Sequence, residues 1–333
     1  ITQIFVLLKT VAMKKILTFC VTTFVLLGVL FATVPSCTRD EAYLSQSGQM
    51  DENESAEEAF ELLNAQLDDY DAAFLSAEIS LDKKKPGNGG FFRRILRALK
   101  VCLADIIGGI GGLVADGDWA YGSSYLSTKA ARNVTNDNSG NKLASIQFVP
   151  TGELILPADN MLDSIGIRHN KLIKAVYQSD PVGFFSCSEE ELQRRMLQQH
   201  VLLYGPVPKE VIRALPILEA RVNMVTEEVE RVFYKNADEN SSDEELIMHL
   251  KNALAVTAVR MPEYEKELLV VMRYLETMVQ LPENQTIEVY TDGFRKIVGN
   301  SGLPVGSIGK INSGISIAAN SNYLWQEVNF NNQ

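Results

Sequence analysis

Five side chains beyond residue 100 are suited to moving protons, attacking carbonyls or holding metals: His169, His200, His249, Cys102 and Cys187. The histidines show neither His-x-x-x-His nor His-Glu-x-x-His spacing, so a zinc site would need ligands converging from distant segments. No metal or cofactor is expected. His169, with Asn170 beside it, could open a helix and bind a substrate or orient a loop. The alternative is a ring that crosses a helical core through ordinary hydrogen bonds. His200 and His249 follow polar runs and are expected on helix surfaces. Cys187 stands between Ser186 and Ser188 at what reads as a helix N-terminus, where the dipole can lower a thiol pKa. No Cys-His-Asn order and no Gly-x-Ser-x-Gly elbow accompanies it. Cys102 and Cys187 could instead form a disulfide, although Cys102 sits in an apolar run where cysteine behaves as a small buried hydrophobe. The acidic groups Glu189-Glu190-Glu191 and Asp243-Glu244-Glu245 fall in first helical turns, where the helix dipole explains them without calcium. Gly108 to Gly112 is not followed by Gly-Lys-Ser/Thr and is no phosphate loop.

The elements that must position these residues read as helices. Ala59, Leu62, Leu63, Gln66, Leu67, Tyr70 and Phe74 recur at three- and four-residue steps, and Ser55 with Glu58 has the capping-box pattern. Lys83 to Gly90 is a breaker. Leu143 to Leu156 alternates in places and turns at Pro150-Thr151-Gly152, as a small β-hairpin would. From Asn160 onward the pattern is helical again. Ser188 with Glu191 and Ser242 with Glu245 give two further capping boxes. Pro181-Val182-Gly183 breaks the chain, Pro208 suits a first helical turn, and Pro216 is expected to kink or restart its helix. Asn133 to Asn141 reads as a polar loop.

Phe91 to Ala131 is unlike the rest. A cationic amphipathic opening, Phe91 to Lys100, runs into Val101 to Ala115, apolar throughout except for Asp105. On a helix, Ala104, Gly108 and Gly112 stack at four-residue intervals. Glycine costs about 1 kcal/mol relative to alanine in a helix interior, so such a stripe implies close approach of a second helix. Trp119 to Ala131, with Ala120, Ser123, Ser127 and Ala130, is the candidate partner. The segment resembles the glycine-rich hairpins of bacteriocin-like peptides, which implies membrane insertion. The competing reading is a tightly packed hairpin inside a helical core.

At the other end, basic Met13-Lys14-Lys15 is followed by an uncharged run from Ile16 to Pro35 and then by Ser36-Cys37, the pattern of a secretory signal. Val34-Pro35-Ser36-Cys37 resembles a bacterial lipobox, with Pro35 a departure from the family pattern. The resemblance implies that Cys37 is acylated and becomes the first mature residue. A signal anchor is the alternative, since about 20 apolar residues can span a bilayer. Residues 1–12 read as translated upstream sequence, with Met13 the expected start. The acids that follow Cys37 resemble the surface-export signal of Bacteroidota lipoproteins. Gly166-Ile167-Arg168-His169-Asn170, Ala318-Ala319-Asn320-Ser321 and Leu324-Trp325 resemble segments of uncharacterised Bacteroidota cell-envelope lipoproteins, which implies no particular activity.

From Cys37 to Gln333 the chain has 28 basic and 42 acidic residues, a net −14. That balance repels nucleic acid and anionic lipid heads. The expectation is therefore a mainly α protein, a multi-helix bundle or irregular helical array with a Gly-rich helical hairpin and at most a small β-hairpin. It divides into an upstream and signal segment (1–36), a tether (37–54), an N-terminal helix and linker (55–90), the Gly-rich hairpin (91–132) and a helical domain (133–333). The expected function is a binding or structural lipoprotein of the cell envelope, placed at the outer membrane or on the surface, held to the membrane by its lipid and meeting protein partners outside the cytoplasm. A membrane-active effector working through residues 91–132 is the second expectation, and an enzyme centred on His169 or Cys187 the third.

Overall fold

Helix α7 (Lys209–Tyr234) shows why this chain folds as it does. Val211, Leu215, Leu218, Val222, Val225, Val229 and Phe233 recur at three- and four-residue steps and are all buried, so one apolar stripe closes on the core. The computed structural model describes residues 51–81, 101–113, 119–138, 164–235, 237, 241–281 and 284–326. These form eleven α-helices with no strand among them. The remaining ten are α1 (Asp51–Leu81), α2 (Leu103–Leu113), α3 (Trp119–Asn138), α4 (Ile165–Ser179), α5 (Pro181–Ser186), α6 (Glu189–Tyr204), α8 (Asp243–Arg260), α9 (Glu265–Met278), α10 (Asn284–Gly299) and α11 (Val305–Gln326). The mainly α architecture is thus as expected. The proposed β-hairpin at Leu143–Leu156, the lipobox and the breaker at Lys83–Gly90 lie outside the described residues. Residues 1–53 make one compact unit and residues 54–333 another.

Two helices rich in small residues occupy the middle of that unit. Val101 to Gly109, which leads into and fills most of α2, is buried at every position. So is Ser313 to Ser321 of α11. A helix apolar or small on all sides has no solvent face to keep. α2 lies against α3, α7 and α11, while α4 lies against α3, α6 and α11. α8 packs on α7 and α9, and α9 and α10 both contact α11. The glycine stripe does allow close approach to Trp119–Ala131. A Cβ on Gly108 would stand 3.2 Å from the Ser123 Cα and 3.0 Å from the Leu126 Cδ1. None of the helices among the described residues is long and apolar enough to cross a membrane.

Several local expectations need correction. α3 runs on through Asn138, so its Asn-rich end is helix where a polar loop was expected. α1 begins at Asp51, which leaves Ser55 and Glu58 inside the helix and not at its cap. α7 passes through Pro216 without interruption, because its long apolar seam outweighs one lost amide bond. Pro208 is its N-cap residue. Pro181 does end α4, but it then opens the short α5, whose N-terminus Asp180 caps by accepting the Gly183 N–H at 2.8 Å. Ser242 and Glu245 form a reciprocal capping box. Ser188 makes only its own half, accepting the Glu191 N–H at 3.2 Å, while Glu191 turns to Arg194 and Arg195.

Candidate functional site

Asp105, the one charge in the apolar run, and His169 meet at the centre of the helical unit, both fully buried. Four helices position this node. α2 brings Asp105, α3 brings Ser123, Ser124 and Ser127, α4 brings His169 and Asn170, and α11 brings Ser316, Asn320, Ser321 and Trp325. On α3 and α11 the polar residues repeat at four-residue steps, so each helix turns a stripe of hydroxyls and amides inward.

Ser123 Oγ and Ser124 Oγ both lie 3.1 Å from His169 Nδ1. The Ser124 hydroxyl donates to the Ala120 carbonyl at 2.5 Å, so its oxygen is left to accept from the ring. The Ser123 hydroxyl can instead donate to Nδ1, so the two serines are compatible with either ring tautomer. Nε2 faces Asp105 Oδ2 at 3.6 Å, beyond a direct hydrogen bond, and has no donor within reach. Ser321 donates to Asp105 Oδ2 and reaches Cys102 Sγ at 3.6 Å. Burial pushes the Asp105 pKa well up, against the pull of Ser321, Ser127 and Trp325. Burial likewise pushes the His169 pKa down to about 3. Each group therefore prefers its neutral form, with the proton on the carboxyl and the imidazole uncharged.

Asn170 continues the node along α11. Its Nδ2 donates to the Asn320 carbonyl at 2.8 Å, and the Asn320 amide donates to the Ser316 carbonyl at 2.9 Å. The Gly166 N–H donates to Ser316 Oγ at 3.2 Å. A Cβ on Gly166 would strike the Ser316 carbonyl, so α4 and α11 cross at this point only because residue 166 has no side chain. Gly166 and Asn170 thus contact Ser316 and Asn320 across 150 residues of chain, although the sequence showed them only as separate motifs.

Serine, histidine and aspartate together have the composition of an acyl-transfer triad, in which the base takes the hydroxyl proton and the acid steadies the imidazolium. The geometry here is set against that chemistry. The Ser124 proton points to a backbone carbonyl, the imidazole is a very weak base, and the carboxyl favours its protonated form. All the participating side chains are sealed from solvent, and neither of the two described surface clefts is lined by any of them. What the node does is join four helices in one register, since a slip of any of them would leave buried polar atoms without partners.

The remaining chemistry-bearing residues lie elsewhere. Cys102 and Cys187 are both free thiols, so the proposed disulfide is not formed. Cys102 is buried beside Ser321, whereas Cys187 is the C-cap residue of α5. Its carbonyl is taken by Arg132, and Ser188 caps the following helix, so the thiol does not hold the N-terminal position proposed for it. His200, expected on a surface, is buried. Its Nδ1 donates to the Gly205 carbonyl at 2.8 Å, and its ring packs edge-on against Tyr121 at 5.6 Å and Tyr204 at 5.4 Å. Among the described residues no group of His, Cys, Asp and Glu side chains could hold a metal ion. The sequence marked His169 and Asn170 as site candidates, but Ser123 and Ser127 only as small packing residues and Trp325 only within a resemblance; the available signal was Asp105, a lone acid in an apolar glycine-rich helix. No family model, curated protein or solved structure matches the chain.

Proposed function

We propose that this chain is an outer-membrane lipoprotein of the cell envelope, acylated at Cys37, whose helical body is a binding and structural module. The observation that carries the non-catalytic part is the sealing of Asp105, His169 and their serines. The residues best suited to chemistry are committed to holding helices together. The address rests on the basic, apolar and Ser36-Cys37 pattern of residues 13–37. The runner-up is a membrane-active effector, supported by the apolar, glycine-rich character of α2. In that reading α2 would have to leave a position buried on every side.

One experiment addresses both. Cells expressing the wild type and Cys37→Ala are fed a palmitate analogue and fractionated, and the purified wild type is then applied to dye-loaded phosphatidylglycerol vesicles. Label in the membrane fraction of the wild type alone, with no dye release, is the expected result. An uncut, unlabelled product in the cytosolic fraction overturns the address, and dye release overturns the binding module in favour of the effector.

A further inference from the structure

A cleft of about 380 Å³ opens on the surface between α1, α8 and α9, remote in composition from the buried node. Its volume is within the range of small-ligand sites. The floor is apolar, with Leu254 and Met272 buried and Leu269 partly exposed beside them. One polar wall is already satisfied. Arg273 binds Asp68 at 2.7 Å and Asp71 at 2.6 Å, and also donates to the Asn64 carbonyl at 3.1 Å.

The other wall is different. Glu276 of α9 and Lys251 of α8 both line the cleft and attract one another, and Lys251 is the first of the charges that favour the ionised Glu276. Burial nonetheless outweighs that attraction and raises the Glu276 pKa. Neither side chain takes part in an ion pair or a side-chain hydrogen bond, with the other or with any described group. An acid partly withdrawn from water and a nearby ammonium, held apart across a space with an apolar floor, form a split receptor of opposite charges. Charge-assisted hydrogen bonds are the strong ones in such a setting, and a ligand carrying both signs would satisfy the two ends at once.

We propose that this cleft binds a small zwitterion with an apolar body, as an aliphatic α-amino acid presents. Its ammonium sits on Glu276, its carboxylate on Lys251 and its alkyl chain on Leu254, Leu269 and Met272. The proposal deepens the reading of the body as a binding module. It is independent of acylation, so the labelling result and the binding result can fail separately.

The test is calorimetric titration of the purified full chain with L-leucine, with leucinamide, which lacks the carboxylate, and with 4-methylpentanoate, which lacks the amine. Saturable binding of leucine is expected, at least tenfold weaker for either analogue. Glu276→Gln should weaken leucine binding at least tenfold. Lys251→Ala, an exposed change that leaves the fold alone, should erase the preference for leucine over leucinamide. No saturable signal with leucine, or binding that both variants leave unchanged, overturns the proposal.

Discussion

In the unfolded chain Asp105 titrates near 3.8 and His169 near 6.5, so between those values the two carry one proton. In the fold they also share one, since burial lifts the acid and drops the base to about 3. The raised acid contributes stability that is complete below pH 3.8 and is lost as pH rises. The lowered base contributes stability that is complete above pH 6.5 and is lost as pH falls toward 3. From pH 3.8 upward, for as long as Asp105 keeps its proton and until His169 of the unfolded chain loses its own, these two slopes cancel. Wherever the raised Asp105 still holds its proton above 6.5, the unfolded chain has given up its own, and stability falls as pH rises until Asp105 ionises. Asp105→Asn removes the acid's share. Urea unfolding of both proteins across a pH series from about 4 upward should therefore show the wild type losing ground to the variant as pH rises, until Asp105 ionises in the fold. Parallel curves would mean that Asp105 ionises in the core as it does in water.

Helices packed through small residues make their own prediction. At Gly166 an added methyl collides with the Ser316 backbone carbonyl, which cannot swing aside as a side-chain tip can. Gly166→Ala should cost about 1–3 kcal/mol, the usual penalty of overpacking. Gly306, in the first turn of α11, has nothing within reach of an added Cβ, so Gly306→Ala should be neutral or stabilise by up to about 1 kcal/mol. Chemical denaturation of the two variants checks the pair, and equal effects would refute the crossing. The same contrast explains what could be read from sequence. The three- and four-residue rhythm of Val211 to Phe233 needs only its own segment to be legible. So does the capping box of Ser242 and Glu245, whereas the same pattern at Ser55 and Glu58 lies within a helix and signals nothing. A glycine stripe announces a close neighbour without naming it. Gly108 meets α3, the next helix in the chain, and that pairing was legible. Gly109 points at Ile317 of α11, and His169 finds Asp105 and Ser124 on helices contributed by distant segments. Such pairings are set by the tertiary fold and leave no local mark.

Across the whole helical unit, cohesion is uneven, and α1 is where it is thinnest. Phe60, Leu63, Leu67, Asp71 and Phe74 give α1 a single seam, buried or half-buried, while most of its other positions between residues 55 and 76 are exposed. A polar and aromatic clamp secures that seam. Tyr290 stacks between Tyr70 at 5.5 Å and Tyr274 at 5.6 Å, and the Tyr70 hydroxyl donates to the Tyr290 carbonyl at 3.1 Å. Asp71 accepts from the Tyr290 hydroxyl at 2.7 Å and from Arg273 Nε at 2.6 Å. By contrast α11 is walled in by α2, α4, α9 and α10, and its stretch from Ser313 to Ser321 is buried at every position. Amide hydrogen exchange should therefore resolve two levels of stability, with α1 opening well before α11. Asp71→Ala leaves a buried phenol without its acceptor and Arg273 with one carboxylate fewer, a loss of about 2–3 kcal/mol for charge-assisted bonds. If α1 is a separable strap, that loss should speed exchange in α1 and leave α11 at its wild-type rate. Because α1 also walls the cleft through Asp68, Asp71 and Leu75, a ligand held there should slow exchange in α1, by the same linkage that lets binding stabilise any state it prefers. Exchange that accelerates equally in α1 and α11 would make the unit a single cooperative block and remove α1 as the moving part.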